Sequence, residues 1–209
     1  MEKFQKKKIL LGVFLALGCS ALAGKVFEGK DGLVIMEVES TSSSKGDWEE
    51  MQTIPGYTGE CHFEFTGNKP AMGPPKNPLK YEFTVDKDGV YNLMIRCHKR
   101  LAGEEKDKCN DCYVRLKGDF ESAGKTPKDI LEEDTKLYGG SAEGWGWTDK
   151  LDVKHKKWPA EYRLEAGEEY TLIISGRSQR FNMDRIVFKH KSVKDKKAKN
   201  PKQPESKTK

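Results

Sequence analysis

The chain has 209 residues, 35% hydrophobic and 34% charged, which is enough for one domain with a proper core. Its formal charge of +5 is unevenly placed: four Lys against Glu2 open the chain, and nine Lys against Asp195 and Glu205 close it from Lys189 onward, so the body between is near −5. An acidic body argues against a nucleic-acid surface on the fold, and no segment is long and apolar enough to span a bilayer.

In chain order, Lys3, Lys6, Lys7 and Lys8 precede a short apolar run from Ile9 to Leu17 and the small residues Ala21-Leu22-Ala23. This is the pattern of an export signal over residues 1–23, cleaved after Ala23, and it predicts a secreted, periplasmic or cell-surface protein. A less favoured reading makes Ala16-Leu17-Gly18-Cys19 a lipoprotein box with Cys19 acylated; the usual Leu three positions before the Cys is missing.

Strand signals follow at 32–38, 60–66, 79–85, 90–98, 111–117, 161–164, 169–175 and 181–189, each with apolar residues alternating with polar ones. Asp86-Lys87-Asp88-Gly89 and Glu165-Ala166-Gly167-Glu168 read as tight hairpins. One helix is predicted over 126–137, capped by Thr126 with Pro127 in the first position. The fold class is therefore all-β: an antiparallel β-sandwich of jelly-roll type, over residues 24–190, with one short inserted helix. Residues 191–209 lack apolar periodicity and read as a disordered basic tail. Beyond a solvated end, its functional reading is contact with an anionic surface or polymer.

Four cysteines remain beyond the signal. Cys61, Cys97, Cys109 and Cys112 predict structural disulfides in an exported protein, with three connectivities open. Cys109-Asn110-Asp111-Cys112 lacks the second pair that a zinc site needs.

Two segments near opposite ends carry acids at strand spacing. Glu37 and Glu39 share one strand face, as do Asn182 and Asp184. If the first and last strands meet, three carboxylates converge and form the oxygen shell that calcium prefers.

Sugars are held by aromatic stacking and by directional hydrogen bonds. The candidate platforms are Tyr57 and, in a glycine-rich loop, Trp145 and Trp147; Trp48 and Trp158 are assigned to structure. Candidate polar partners are Asn182, Asn110, Asp111, Arg96, His98, Arg177 and Arg180. Arg96, His98 and Arg100 alternate on one strand face, either solvated or an anion clamp.

The order of the pieces resembles a known family. It runs Met-Glu-Val-Glu (36–39), Pro-Gly-Tyr-Thr-Gly-Glu (55–60), Leu-Lys-Tyr-Glu-Phe-Thr-Val (79–85) and Asp-Gly-Val-Tyr-Asn-Leu-Met-Ile-Arg (88–96). Asn-Asp-Cys-Tyr-Val-Arg-Leu (110–116), the Trp loop, Leu-Glu-Ala-Gly-Glu-Glu-Tyr-Thr-Leu-Ile-Ile (164–174) and Asn-Met-Asp-Arg-Ile-Val-Phe (182–188) complete it. Over residues 33–188 this is similar to the galactose-binding-like jelly rolls of carbohydrate-binding modules of families six and thirty-five, and to malectin-like domains. The resemblance implies structural calcium at Glu37, Glu39 and Asp184, away from the ligand cleft. It also implies sugar contacts from Asn182, from Trp145 or Trp147, and from Tyr57. The cysteine cluster, the charged loop at 103–108 and the inserted helix depart from the family pattern.

The function expected is non-catalytic binding of a polysaccharide or oligosaccharide. A glycan lyase or hydrolase is the first alternative. It would need two carboxylates poised across the bond; Asp111 with Glu104 or Glu143 is conceivable, but no spacing singles them out and no nucleophile motif occurs. A protein-interaction or envelope module without sugar binding is the second.

Overall fold

Alternation dictates the architecture. Leu79, Tyr81 and Phe83 bury one face of a strand, Tyr91, Leu93 and Ile95 that of the next, and Leu172 and Ile174 that of a third. A strand with one apolar face is stable only against another sheet, and each large side chain so buried contributes about 1.5–3 kcal/mol. The computed structural model describes residues 24–209; the export-signal and lipoprotein readings fall outside the described residues.

Fifteen strands form: β1 (Val26–Glu28), β2 (Leu33–Glu37), β3 (Trp48–Met51), β4 (His62–Phe65), β5 (Lys76–Thr84), β6 (Gly89–Lys99), β7 (Asp111–Lys117) and β8 (Glu121–Ser122), followed by β9 (Thr135–Tyr138), β10 (Gly146–Thr148), β11 (Lys150–Val153), β12 (Lys156–Pro159), β13 (Glu161–Leu164), β14 (Glu169–Gly176) and β15 (Phe181–His190). One sheet runs β1-β5-β14-β7-β9-β11-β12; the other runs β3-β4-β15-β6-β13-β8, with β2 on β15 and β10 on β6. Every pairing of these strands is antiparallel except β1 with β5. The core lies between the sheets, where Phe83 of β5 stacks on Phe188 of β15 with centroids 4.3 Å apart.

Both expected hairpins are instead arches. Residues 86–89 carry the chain from β5 in one sheet to β6 in the other, and 165–168 carry it from β13 to β14. The arches lie side by side: Ala166 N–H donates to Asp88 Oδ1 at 2.7 Å and Gly167 N–H to Val85 O at 3.0 Å. Turn residues signal a reversal, but which sheet receives the next strand is decided by packing.

The predicted helix shrinks to α1 (Lys128–Glu132), with no side-chain cap. Thr135 and Leu137 alternate inward on β9, which pairs with β7, so ladder bonds replace the helix's second half.

All four cysteines are buried and unbridged, which corrects the disulfide expectation. Cys97 and Cys112 sit in opposite sheets with their thiols in the core. Burial pushes the Cys97 thiol up to about 12 and the Cys61 thiol up to about 11. A buried thiol acts here as a small apolar side chain, so an even count did not imply bridges.

The C-terminal segment is folded, which corrects the disordered-tail reading. A single helical turn, α2 (Asp195–Ala198), sets Ala198 at 1% exposure against Leu33, Ile35, Met94 and Val187. Beyond it the chain straps the open edge of β2. Ser206 N–H donates to Ile35 O at 2.9 Å, Ile35 N–H to Ser206 Oγ at 3.0 Å, and Glu37 N–H to Glu205 Oε1 at 2.8 Å. Edge strands left with unpaired N–H and C=O groups are a liability, and polar side chains complete this one.

Candidate functional site

The outer face of the eight-stranded sheet is apolar around Leu33, Ile35, Met94 and Val187 and polar but mostly buried around β4 and the start of β15. On β4, Phe63 and Phe65 point to the core, so His62 and Glu64 point outward. On β15, Phe181 and Met183 point inward and Asn182 outward; a bulge between Met183 and Arg185 then inserts Asp184 as the extra residue. Arg96, His98 and Arg100 rise beside them from β6.

Two loops close over this face. Arg96 Nη2–H donates to Gly56 O at 2.9 Å and holds the Tyr57 loop. His98 Nδ1 meets Gly144 O at 2.9 Å, and Lys99 N–H donates to Ser141 O at 2.9 Å, which holds the Trp145 loop. Gly140 is required there: its φ is +82°, and a Cβ would lie 2.9 Å from Cys97 Sγ.

Trp145 comes to rest among aromatic and cationic groups. Its ring is edge-on to His62 at 5.2 Å and to His98 at 6.0 Å, with the Arg96 guanidinium 5.3 Å from its centroid. Tyr57 reaches the same cluster, 5.9 Å from His62. Below, Arg100 Nε–H donates to Glu64 Oε2 at 2.6 Å, a second guanidinium nitrogen bonds the other oxygen, and Asn182 Nδ2–H donates to Glu64 Oε2 at 3.1 Å. Asn182 is fully buried, so it orients Glu64 and does not face solvent as the resemblance implied.

One buried polar atom in this cluster has no partner, Trp145 Nε1, and such a group costs about 1–3 kcal/mol. His62 Nε2 accepts from Ile54 N–H at 3.3 Å, which leaves the neutral ring's proton on Nδ1, facing the Asn182 side chain. Burial depresses the His62 pKa to about 4, with His98 adding to it and Glu64 and the Asn182 hydrogen bond opposing it.

The other expected ligand residues lie elsewhere. Trp147 pairs in register with Arg96 but packs its ring against the Leu33, Ile35, Met94, Val187 and Ala198 cluster, so it is structural. Asp111 opens β7 in the opposite sheet, 2% exposed, with Oδ2 taking Arg177 Nη1–H at 2.5 Å and Lys136 Nζ at 3.6 Å. Asn110 gives its carbonyl to Gly139 N–H at 2.8 Å; it supports the base of the Trp loop through the backbone. Sequence reasoning missed His62 and Glu64, although their alternation with Phe63 and Phe65 was the signal.

The acidic residues of the terminal strands do meet, through Thr58. Its Oγ1 lies 2.7 Å from Glu37 Oε2 and 3.0 Å from Asp184 Oδ2, and its N–H donates to Asp184 Oδ1 at 2.7 Å. Arg96 Nη1–H donates to Asp184 Oδ2 at 2.6 Å, and Arg185 pairs with Glu37 Oε1. Glu39 turns aside to accept Glu60 N–H at 2.5 Å. Among the described residues, no three His, Cys, Asp or Glu side chains converge as a ready metal shell, so the expected three-carboxylate convergence is only two-thirds formed.

Glu37 and Asp184 are each paired with a guanidinium, and Glu39 Oε2 is buried without a partner, an oxygen that a hard cation would satisfy. Burial, with the charge of Glu37 adding to it, raises the Glu39 pKa, and burial raises that of Asp184 against Thr58 and Arg96. Gly59, with φ +65°, makes the cradle: a Cβ there would lie 2.0 Å from Glu39 Oε1.

No protein-family model matches the chain, and no curated protein matches it. Solved structures do. A GH26-CBM35 β-(1,4)-mannanase from Podospora anserina superposes with a TM-score of 0.50 at 13% identity, over 79% of this chain and 29% of that one. A family 35 carbohydrate-binding module from Clostridium thermocellum gives 0.45 at 13% identity, over 75% and 96%. A CBM6 module from Clostridium stercorarium, in complex with cellobiose, gives 0.44 at 14%, over 80% and 98%. This chain thus spans under a third of the mannanase. At such identities the likeness to the mannanase establishes the fold alone, an antiparallel β-sandwich.

Proposed function

We propose that the chain is an exported, non-catalytic carbohydrate-binding protein whose glycan seat is the Tyr57–Trp145 rim over His62, His98 and Arg96. The carrying observation is the half-buried Trp145 indole, ringed by His62, His98 and Arg96, with its own Nε1 unpartnered. A sugar ring stacks its C–H face on an indole and offers hydroxyls that both donate and accept. Trp145 Nε1–H needs an acceptor, which a sugar hydroxyl can supply. The mannanase whose name includes a CBM35 unit shares the fold, which supports the same class of ligand.

The state of the acids supports non-catalytic binding. Glu64 is held by Arg100, Asp184 by Arg96, Asp111 by Arg177 and Glu104 by Arg180, a state that does not suit a general acid or nucleophile. Calcium, when bound at Glu37, Glu39 and Asp184, supplies fold stability: it compensates the unpaired Glu39 oxygen and ties β2 to β15 near the Tyr57 loop.

A glycan array of the full chain, including β-(1,4)-mannan, tests this reading. Retention that falls at least about tenfold in Trp145→Ala, with the melting temperature held within a few degrees, is the expected result. Silence across the array, or equal retention by the variant, rejects the seat.

A further inference from the structure

We propose that the folded C-terminal segment is a second, preformed binding surface, for an anionic polysaccharide, separate from the Trp145 seat. The backbone that carries its lysines is anchored. Ala198 and Val193 pack on the outer apolar cluster, Arg185 Nη1–H donates to Gln203 O at 2.9 Å, and Lys209 N–H donates to Val26 O at 3.1 Å. The segment's Asp195 is consumed by Lys189 and Lys199, and its Glu205, which keeps its charge, is turned to the Glu37 backbone N–H and is absent from the hollow between the lysines.

What remains is unopposed positive charge. Lys194, Lys196, Lys197 and Lys202, all exposed, border a hollow of about 690 Å³ completed by Asn200 and Gln203, with no acidic residue in its lining. Like charges held together repel, and a polyanion relieves that repulsion. Because the segment is already ordered, binding does not meet the entropy cost of folding a flexible tail. Asn200 and Gln203 add the planar hydrogen-bonding groups that sugar hydroxyls need.

Composition favours a glycan over a bilayer. The surface is a shallow, open depression, and no large apolar side chain is exposed in it; the exposed one among the described residues is Met72, in the loop between β4 and β5. Insertion into a membrane interface needs apolar groups beside the cationic ones. The acidic body lies outside this patch, so an anionic chain is steered toward it.

Retention of the full chain on dextran sulfate and on dextran, which differ only in charge, tests the proposal. We expect retention on dextran sulfate alone, weakening at least about tenfold between about 50 and 200 mM salt, as multivalent cation–polyanion contacts do. Lys194→Gln, Lys196→Gln, Lys197→Gln and Lys202→Gln combined should abolish it with the melting temperature unchanged. An equal charge change at the exposed Lys150, Lys154, Lys156 and Lys157 should leave most of it, and Trp145→Ala should leave all of it. Equal loss in the two quadruple variants would reduce the effect to net charge and overturn the proposal. So would tighter binding to phosphatidylserine vesicles or duplex DNA than to dextran sulfate.

Discussion

Trp145 and Trp147 stand two residues apart over the same sheet, and the regions they join differ in kind. Around Trp147 apolar side chains meet apolar side chains, and the C-terminal strap fills the β2 edge. Around Trp145 the ring neighbours are histidines and an arginine, and the indole Nε1 is buried without a partner. An aromatic face set among polar groups with an unmet donor suits a ligand, while the apolar region holds the fold.

The strongest way to break this contrast is to delete residues 191–209. Losing the strap bonds and exposing Leu33, Ile35 and Val187 should cost about 4 kcal/mol or more in urea unfolding; a loss below about 1 kcal/mol would mean the strap is not part of the fold. Arg185→Met leaves Glu37 buried with one partner fewer and should cost about 3–5 kcal/mol. Saturating calcium should shrink that loss, and a cost unchanged by the ion would argue against a cation there.

Acid sharpens the comparison from the other side. His62 is neutral when folded and charges readily when unfolded, so its contribution is full above about pH 6.5 and is lost as pH falls toward about 4, by about 3 kcal/mol. His62→Phe should flatten that part of the stability curve; an unchanged slope would place the acid sensitivity elsewhere. Glu39 and Asp184 act with opposite sign. Their raised pKa values stabilise the ion-free protein below their ordinary range, and that gain is lost as pH rises through the raised values. Calcium at a hundredfold excess over its Kd should add about 2.7 kcal/mol at neutral pH, and EDTA should remove it in the wild type but not in Asp184→Ala.

The strands were legible because alternation is local: Leu79, Tyr81 and Phe83 reveal their face without knowing the partner. That Glu37 and Asp184 lie on strands was legible for the same reason, but their approach hung on β2 pairing with β15. What escaped depended on partners far along the chain. Nothing in a Lys- and Pro-rich tail announces that Ser206 and Glu205 complete the β2 edge, and nothing in residues 86–89 tells an arch from a hairpin. The fates of the two indoles were also hidden, since Trp147 is claimed by Val187 and Ala198, some 40–50 residues away. Asn182 looked like a surface ligand residue until Glu64 and Arg100 closed over it.

Affinity electrophoresis through the glycan that wild type prefers, with Trp145→Ala and Trp147→Ala run beside it, compares the two regions directly. The account predicts that Trp145→Ala migrates as if no glycan were present yet melts close to wild type, while Trp147→Ala melts several degrees lower and is still retarded. Retardation that survives in Trp145→Ala and disappears in a stably folded Trp147→Ala would contradict it.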